Sequence, residues 1–217
     1  MPLGSRGLAP KLRGVTNPDG ADDRPAWTTD AASSYARNLV DGNRVRLRPL
    51  RTSDLPLLES WWYDPAINVL NTSHVRGGLP EATGEMFRGW SANTTPGSAG
   101  FCVERKEDHL LAGHVSIWGS TPKDRAGTLG VVFGPDFVGQ GLGSEAVALM
   151  VRYGFLELGL NRIGLGVWAF NDRAIAAYRK VGFVEEGRVR ETVLHDGRFH
   201  DELVMGVLAS EWHAAND

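Results

Sequence analysis

The segment Gly139-Gln-Gly-Leu-Gly-Ser144 restricts the fold more than any other part of this chain. It separates an apolar stretch ending at Phe133 from a helical pattern that runs to Leu158, where Gly159 can stop it. Glycines at 139, 141 and 143 let the backbone turn its N–H groups toward one point, and the dipole of the following helix adds partial positive charge there. A pyrophosphate suits such a loop, with the Ser144 hydroxyl as one more donor; a plain glycine-rich turn would use the same letters. Two phosphate-binding plans do not fit. No Gly-Lys-Ser/Thr follows, so this is not a nucleoside-triphosphate loop. A dinucleotide fingerprint would follow the first strand of a parallel unit, whereas several strands of antiparallel character precede this run.

Alternation supplies those strands. In 44–50, Val45 and Leu47 alternate with Arg44, Arg46 and Arg48, which predicts a half-buried strand with a solvated arginine face. Thr52 or Asp54 can cap a helix carrying Leu55, Leu58, Trp61 and Trp62, which Asp64-Pro65 should end. A second helix is expected over 81–90. Strands are expected over 99–105, 110–118 and 128–133, and again over 162–170. Asn171 should cap a helix whose Ala174, Ala177, Tyr178 and Val181 share a face, with Gly182 as its left-handed stop. Segments 189–194 and 199–208 flank His195-Asp-Gly-Arg198, a hairpin turn.

At 217 residues the chain can build one sizeable core. A formal charge of -3 argues against a nucleic-acid binder working through bulk charge. The single cysteine, Cys102, lies in an apolar run and reads as a small buried hydrophobe of a reducing compartment. No run approaches the ~18 apolar residues of a spanning helix, and no charged-then-apolar leader is visible. A cytoplasmic protein with no membrane partner is expected. Residues 1–40, rich in Gly, Pro, Asp, Ser and Ala, read as an extended N-terminal arm before a single domain over 41–217. A second copy of the chain, in a homodimer, is a candidate to hold that arm.

Four pieces of sequence, in this order, resemble the GCN5-related N-acetyltransferases, and among them the branch containing the ribosomal-protein alanine N-acetyltransferases. They are Leu111-Ala-Gly-His114; Gly130-Val-Val-Phe-Gly-Pro135 with Val138-Gly-Gln-Gly-Leu-Gly-Ser-Glu-Ala146; Asn171 through Val181-Gly-Phe183; and Gly197-Arg-Phe-His-Asp201 before Glu211-Trp212. The resemblance covers roughly residues 42–212. It implies an α/β fold: a mixed, mostly antiparallel twisted sheet of about seven strands, helices on both faces, and a V-shaped opening at the CoA site. It also implies acetyl-CoA as co-substrate. Val131, Val132 and Phe133 would offer backbone groups to the pantetheine arm. Gly139, Gln140, Gly141, Leu142, Gly143 and Ser144 would hold the pyrophosphate. Asn171 would contact the pantetheine or hold a water near the thioester, and Tyr178 would protonate the departing thiolate. Tyr178 also sits on an apolar stripe, where it would serve equally as a core aromatic.

Acyl transfer to an amine needs a deprotonated nucleophile, a polarised carbonyl and a proton for the leaving sulfur. A thiol of pKa about 8.5 already leaves readily, so a weak acid suffices. Relatives often carry a glutamate where this chain has Thr128, which cannot take a proton at neutral pH. Glu104 and His114, on central strands, are candidate bases, each with a structural role as the alternative. Trp61, Trp62 and Tyr63 on one side and Glu191 and Phe199 on the other are the expected acceptor-binding residues for a cationic or peptide-like amine. His74, His195 and His200 lack metal-ligand spacing, so no metal is expected. The function expected is acetylation of a primary amine, on a protein N-terminus or a small molecule, by direct attack in a ternary complex. The alternative is a degenerate CoA-binding sensor or scaffold, raised by Thr128.

Overall fold

A computed structural model describes residues 27–75 and 77–216. Among them seven strands form one sheet: β1 (Val45–Arg48), β2 (Ala99–Arg105), β3 (Leu111–Trp118), β4 (Ala126–Phe133), β5 (Arg162–Trp168), β6 (Val184–His195) and β7 (Arg198–Leu208). Their order is β1-β2-β3-β4-β5-β7-β6, and every pair is antiparallel except β4 with β5. The helices are α1 (Thr29–Val40), α2 (Leu55–Tyr63), α3 (Pro65–Asn71), α4 (Pro80–Trp90), α5 (Leu142–Leu156), α6 (Asp172–Val181) and α7 (Ala209–Asn216). The mostly antiparallel α/β architecture is the expected one.

Side chains that alternate along a strand pack against different helices on the two faces. On β3, His114 meets the rings of Phe87 and Trp90 from α4. Ile117, of opposite parity, faces α5, where a Cβ on Gly154 would lie 3.0 Å from its Cδ1. Helices α2 and α4, packed together, therefore cover one face, and α5 with α6 covers the other.

The strands β4 and β5 pair only at Ala126, Gly127 and Thr128 with Arg162, Ile163 and Gly164. Beyond that point β4 stays with β3 as far as Phe133, while β5 stays with β7 as far as Trp168. The sheet opens there like a V. On its far side Asn171 caps α6, its Oδ1 accepting from Ala174 N at 3.2 Å, and Gly182 at φ +107° ends that helix.

Three expectations are corrected. Residues 29–40 form α1 rather than extended chain; residues 1–26 lie outside the described residues. Thr28 Oγ1 accepts from Ala31 N at 3.1 Å, and Tyr35 Oη donates to Glu157 Oε2 at 2.8 Å, which ties α1 to the end of α5. Asp64-Pro65 ends α2 but also starts α3, because Asp64 Oδ1 accepts from Ala66 N at 2.8 Å and Pro65 needs no N–H in the first turn. The arginine face of β1 is only partly solvated. Arg48 is buried, bonded to Asp54 Oδ2 at 2.8 Å and Glu104 Oε2 at 3.0 Å. Two carboxylates make that burial tolerable.

Candidate active site

The divergence of β4 and β5 opens a cavity of about 730 Å³. Gly139, Gly141, Gly143 and Ser144 line it from the glycine loop, and Val131, Val132 and Phe133 line it along β4. Asn171 and Tyr178 line it from α6. The loop bends where the sequence permits: φ is +75° at Gly139 and +81° at Gly141. Gly141 precedes α5 without a side-chain cap, so the first-turn N–H groups remain for an anion or water. Gln140 and Leu142 hold the loop without lining the cavity. Gln140 O accepts from Arg44 Nη1 at 2.7 Å, Gln140 Nε2 donates to Asp136 O at 2.6 Å, and Leu142 is fully buried. Glu145 turns away, its Oε1 accepting from Arg44 N at 2.9 Å. Its charge is thus kept off the loop.

The splay leaves the β5-facing edge of β4 unpaired from Leu129 to Phe133, a row of main-chain donors and acceptors open to a ligand. The Tyr178 hydroxyl has no hydrogen-bond partner among the described residues. Burial pushes its pKa up to about 12, so it keeps its proton at any physiological pH.

The two sequence-predicted bases lie elsewhere. Glu104 is buried between Arg48 and His109, whose Nδ1 is 3.1 Å from its Oε1. Burial would raise its pKa, but His109 and Arg48 more than offset this and hold the carboxyl below its usual range. A carboxylate so engaged is a structural counter-ion. His114 is buried, with Nε2 2.8 Å from Ser91 Oγ, and burial lowers its pKa to about 4. Neither lines the cavity.

The expected acceptor residues are not there either. Trp61 packs in the core against Phe137, and Trp62 packs against Phe87 and Trp90. Tyr63 Oη donates to Leu79 O at 3.0 Å and touches Thr83. An amphipathic α2 must turn its aromatics toward its neighbours, and it does. Glu191 lies in an irregular stretch of β6 at φ +52°, beside a separate surface hollow with Arg188 and Asp201, and Phe199 is 62% exposed.

What lines that side instead is Ala66, Ile67, Leu70 and Asn71 from α3, Trp118 from β3, and Trp168 and Glu202 from β5 and β7. Arg173 and Lys180 on α6 are the cations of the lining. The Trp168 and Glu202 positions were legible in principle: Leu203, Met205 and Val207 are core, so strict alternation sends Glu202 to the opposite face. Among the described residues no group of three or more His, Cys, Asp or Glu is placed to hold a metal ion, and no helix is long and apolar enough to cross a membrane.

A splayed parallel pair beside an uncapped glycine loop is the arrangement that the resemblance to N-acetyltransferases implied, and comparison with known proteins agrees with that class. A family model described as an acetyltransferase (GNAT) domain matches residues 44–184. The chain is 24% identical over 174 residues to the SPbeta prophage-derived uncharacterized N-acetyltransferase YokL of Bacillus subtilis, spanning 79% of this chain and 93% of that one. It is 30% identical over 112 residues to the spermidine N(1)-acetyltransferase of Vibrio cholerae, 52% of this chain and 64% of that one. Among solved structures, the Vibrio cholerae spermidine N-acetyltransferase in complex with CoA and spermine superposes with a TM-score of 0.70 at 24% identity, over 79% of this chain and 99% of that chain. A GNAT-family acetyltransferase from Bacillus anthracis gives 0.66 at 22%, over 79% and 98%. This chain belongs to the GNAT acetyltransferase family.

Proposed function

We propose that the chain transfers an acetyl group from acetyl-CoA to a primary amine by direct attack in a ternary complex. The observation that carries this is one continuous cavity running from the uncapped glycine loop, along the unpaired edge of β4, to a protonated Tyr178 hydroxyl. Bound acetyl-CoA would supply a thioester whose thiol leaves at modest cost. The N–H groups of Gly139 to Ser144 receive the pyrophosphate, with Gln140 and Leu142 fixing the loop's shape. Val131, Val132 and Phe133 pair through their main chain with the pantetheine amides. Asn171, already engaged as a cap, positions the chain entering α6 beside the thioester. Tyr178 donates its hydrogen to the sulfur as charge develops there. The relatives named as spermidine N-acetyltransferases support an amine as acceptor.

The test has two parts. Calorimetry should show acetyl-CoA binding, and CoA-thiol release should follow with members of a panel of polyamines, aminoglycosides and peptides with free N-termini. No binding would end the proposal. Binding without thiol release from any acceptor would instead favour a CoA-binding sensor.

A further inference from the structure

The cavity's acceptor side needs a group to receive an ammonium ion, and none of the residues expected from the sequence reaches it. Among the described residues, Glu202 is the one acidic side chain lining the cavity. It pairs across the sheet with Trp168, so the two side chains share a face, and Gly166 lies two residues along on that same face. Gly166 has no side chain, and the Glu202 carboxylate fills that gap: a Cβ on Gly166 would overlap Glu202 Oε1. The face is the one that carries His114, Trp118 and Thr128 across β3 and β4, opposite to the α5 side where the glycine loop enters its helix. Glu202 is half-buried, and its carboxylate has no hydrogen bond or ion pair among the described residues. The carboxylates of Glu104, Asp54 and Asp201, by contrast, are each engaged by an arginine. Beside Glu202, the Trp168 indole Nε1 is shut from solvent and also lacks a partner. The indole N–H is closed off, but the Glu202 carboxylate lines the cavity with no cation of the described residues paired to it, so a cationic ligand is the group that would complete it.

We propose that Glu202 is the residue that binds the acceptor, holding the ammonium group of a cationic primary amine between the Trp118 and Trp168 walls and taking its proton. This rests on the acetyl-transfer reading above. The ammonium gives one proton to the Glu202 carboxylate, which frees the nitrogen lone pair. The nitrogen–carbon bond forms as the carbon–sulfur bond breaks, and the Tyr178 hydroxyl gives its proton to the sulfur. The second nitrogen proton returns to Tyr178 through solvent, and Glu202 releases its own, so each turnover yields amide, thiol and one proton.

The experiment titrates butylammonium, spermidine and the neutral isostere 1-butanol against the full chain loaded with CoA, using calorimetry, for wild type and for Glu202→Gln and Glu202→Asp. The Gln variant keeps the shape and loses the charge, and with no partner to break it should match the wild-type Tm and acetyl-CoA affinity. Expected is binding of both cations in preference to butanol by wild type, at least a tenfold loss of cation affinity in the Gln variant with butanol unchanged, and partial recovery in the Asp variant. Equal cation affinity in wild type and Gln variant, or no cation binding by the CoA-loaded wild type, overturns the assignment. Failure of CoA itself to bind would overturn the acetyl-transfer reading and is seen separately, before any amine is added.

Discussion

Replacing Tyr178 by phenylalanine removes one oxygen atom and leaves the ring's packing on Phe183, at 5.9 Å between centroids, intact. The hydroxyl's pKa of about 12 lies some 3.5 units above the ~8.5 of a free thiol, so complete transfer to a departing thiolate in that reference is uphill. In the proposed reaction the hydroxyl would therefore serve chiefly as a donor to negative charge accumulating on sulfur. A hydrogen bond to a charged group contributes about 1.5–3 kcal/mol, which converts to roughly a 10- to 150-fold fall in kcat. Acetyl-CoA affinity should stay close to wild type, because the interaction forms only as the bond breaks. Stability should not fall, since the hydroxyl makes no hydrogen bond that the variant would lose. Rates of CoA-thiol release at saturating acetyl-CoA and acceptor, with parallel thermal melts, test all three statements. A Phe variant within twofold of wild-type kcat refutes the donor role. A variant that loses activity together with several degrees of Tm would place Tyr178 in the core instead.

Gly143→Leu should raise helix propensity while driving a side chain toward Phe133, 3.8 Å from where its Cβ would sit, so the variant should fold at least as well but bind acetyl-CoA tenfold or more weakly by calorimetry. His114 has a folded pKa of about 4 against 6.5 unfolded. Between those values the unfolded chain binds the extra proton. The contribution of His114 is then complete above about pH 6.5 and is lost by about 3 kcal/mol as the pH falls to 4. Urea melts of wild type and His114→Gln at pH 7 and pH 4.5 should show a smaller acid loss in the variant, and parallel losses would count against the buried neutral imidazole. Arg48→Met strands the Asp54 and Glu104 carboxylates and should cost about 3–5 kcal/mol in urea unfolding, a figure that a loss below 1 kcal/mol would contradict.

The elements around the glycine loop were legible because each is written locally. Glycines at 139, 141 and 143 can only mean unusual backbone or close approach, and two of them do adopt positive φ. Asn171 and Gly182 bracket α6 with a cap and a left-handed stop that need no tertiary knowledge. The V was expected only from the family resemblance, because a parallel pair does not by itself require its strands to part. What misled the reading was residue type judged without partners. Arg44, Arg46 and Arg48 alternate like a wet strand face, yet two carboxylates, Asp54 just beyond the strand and Glu104 on neighbouring β2, draw Arg48 inside. In residues 28–40 a local cap from Thr28 and a contact of Tyr35 with Glu157, 122 residues away, make a helix where composition suggested an extended arm.

The wall proposed to receive the acceptor was hidden for a different physical reason. Its wall is assembled from β3, β5, β7 and the short α3, and membership in it depends on register rather than on motif. The tryptophans of α2 looked like pocket walls because they are large, but large aromatics are the residues a small helix most needs for its own burial. Glu202 carries no such advertisement. Its place is set by the pairing of β7 with β5, which puts it opposite Trp168 and beside the gap left at Gly166. A one-residue slip in that pairing would send Glu202 into the core face and Leu203 into the cavity. The apolar residues Leu203, Met205 and Val207 prevent the slip by being buried. The same hydrophobic alternation that stabilises the sheet thus delivers the Glu202 carboxylate to the cleft, so the chemistry proposed for that side is a consequence of core packing on the opposite face.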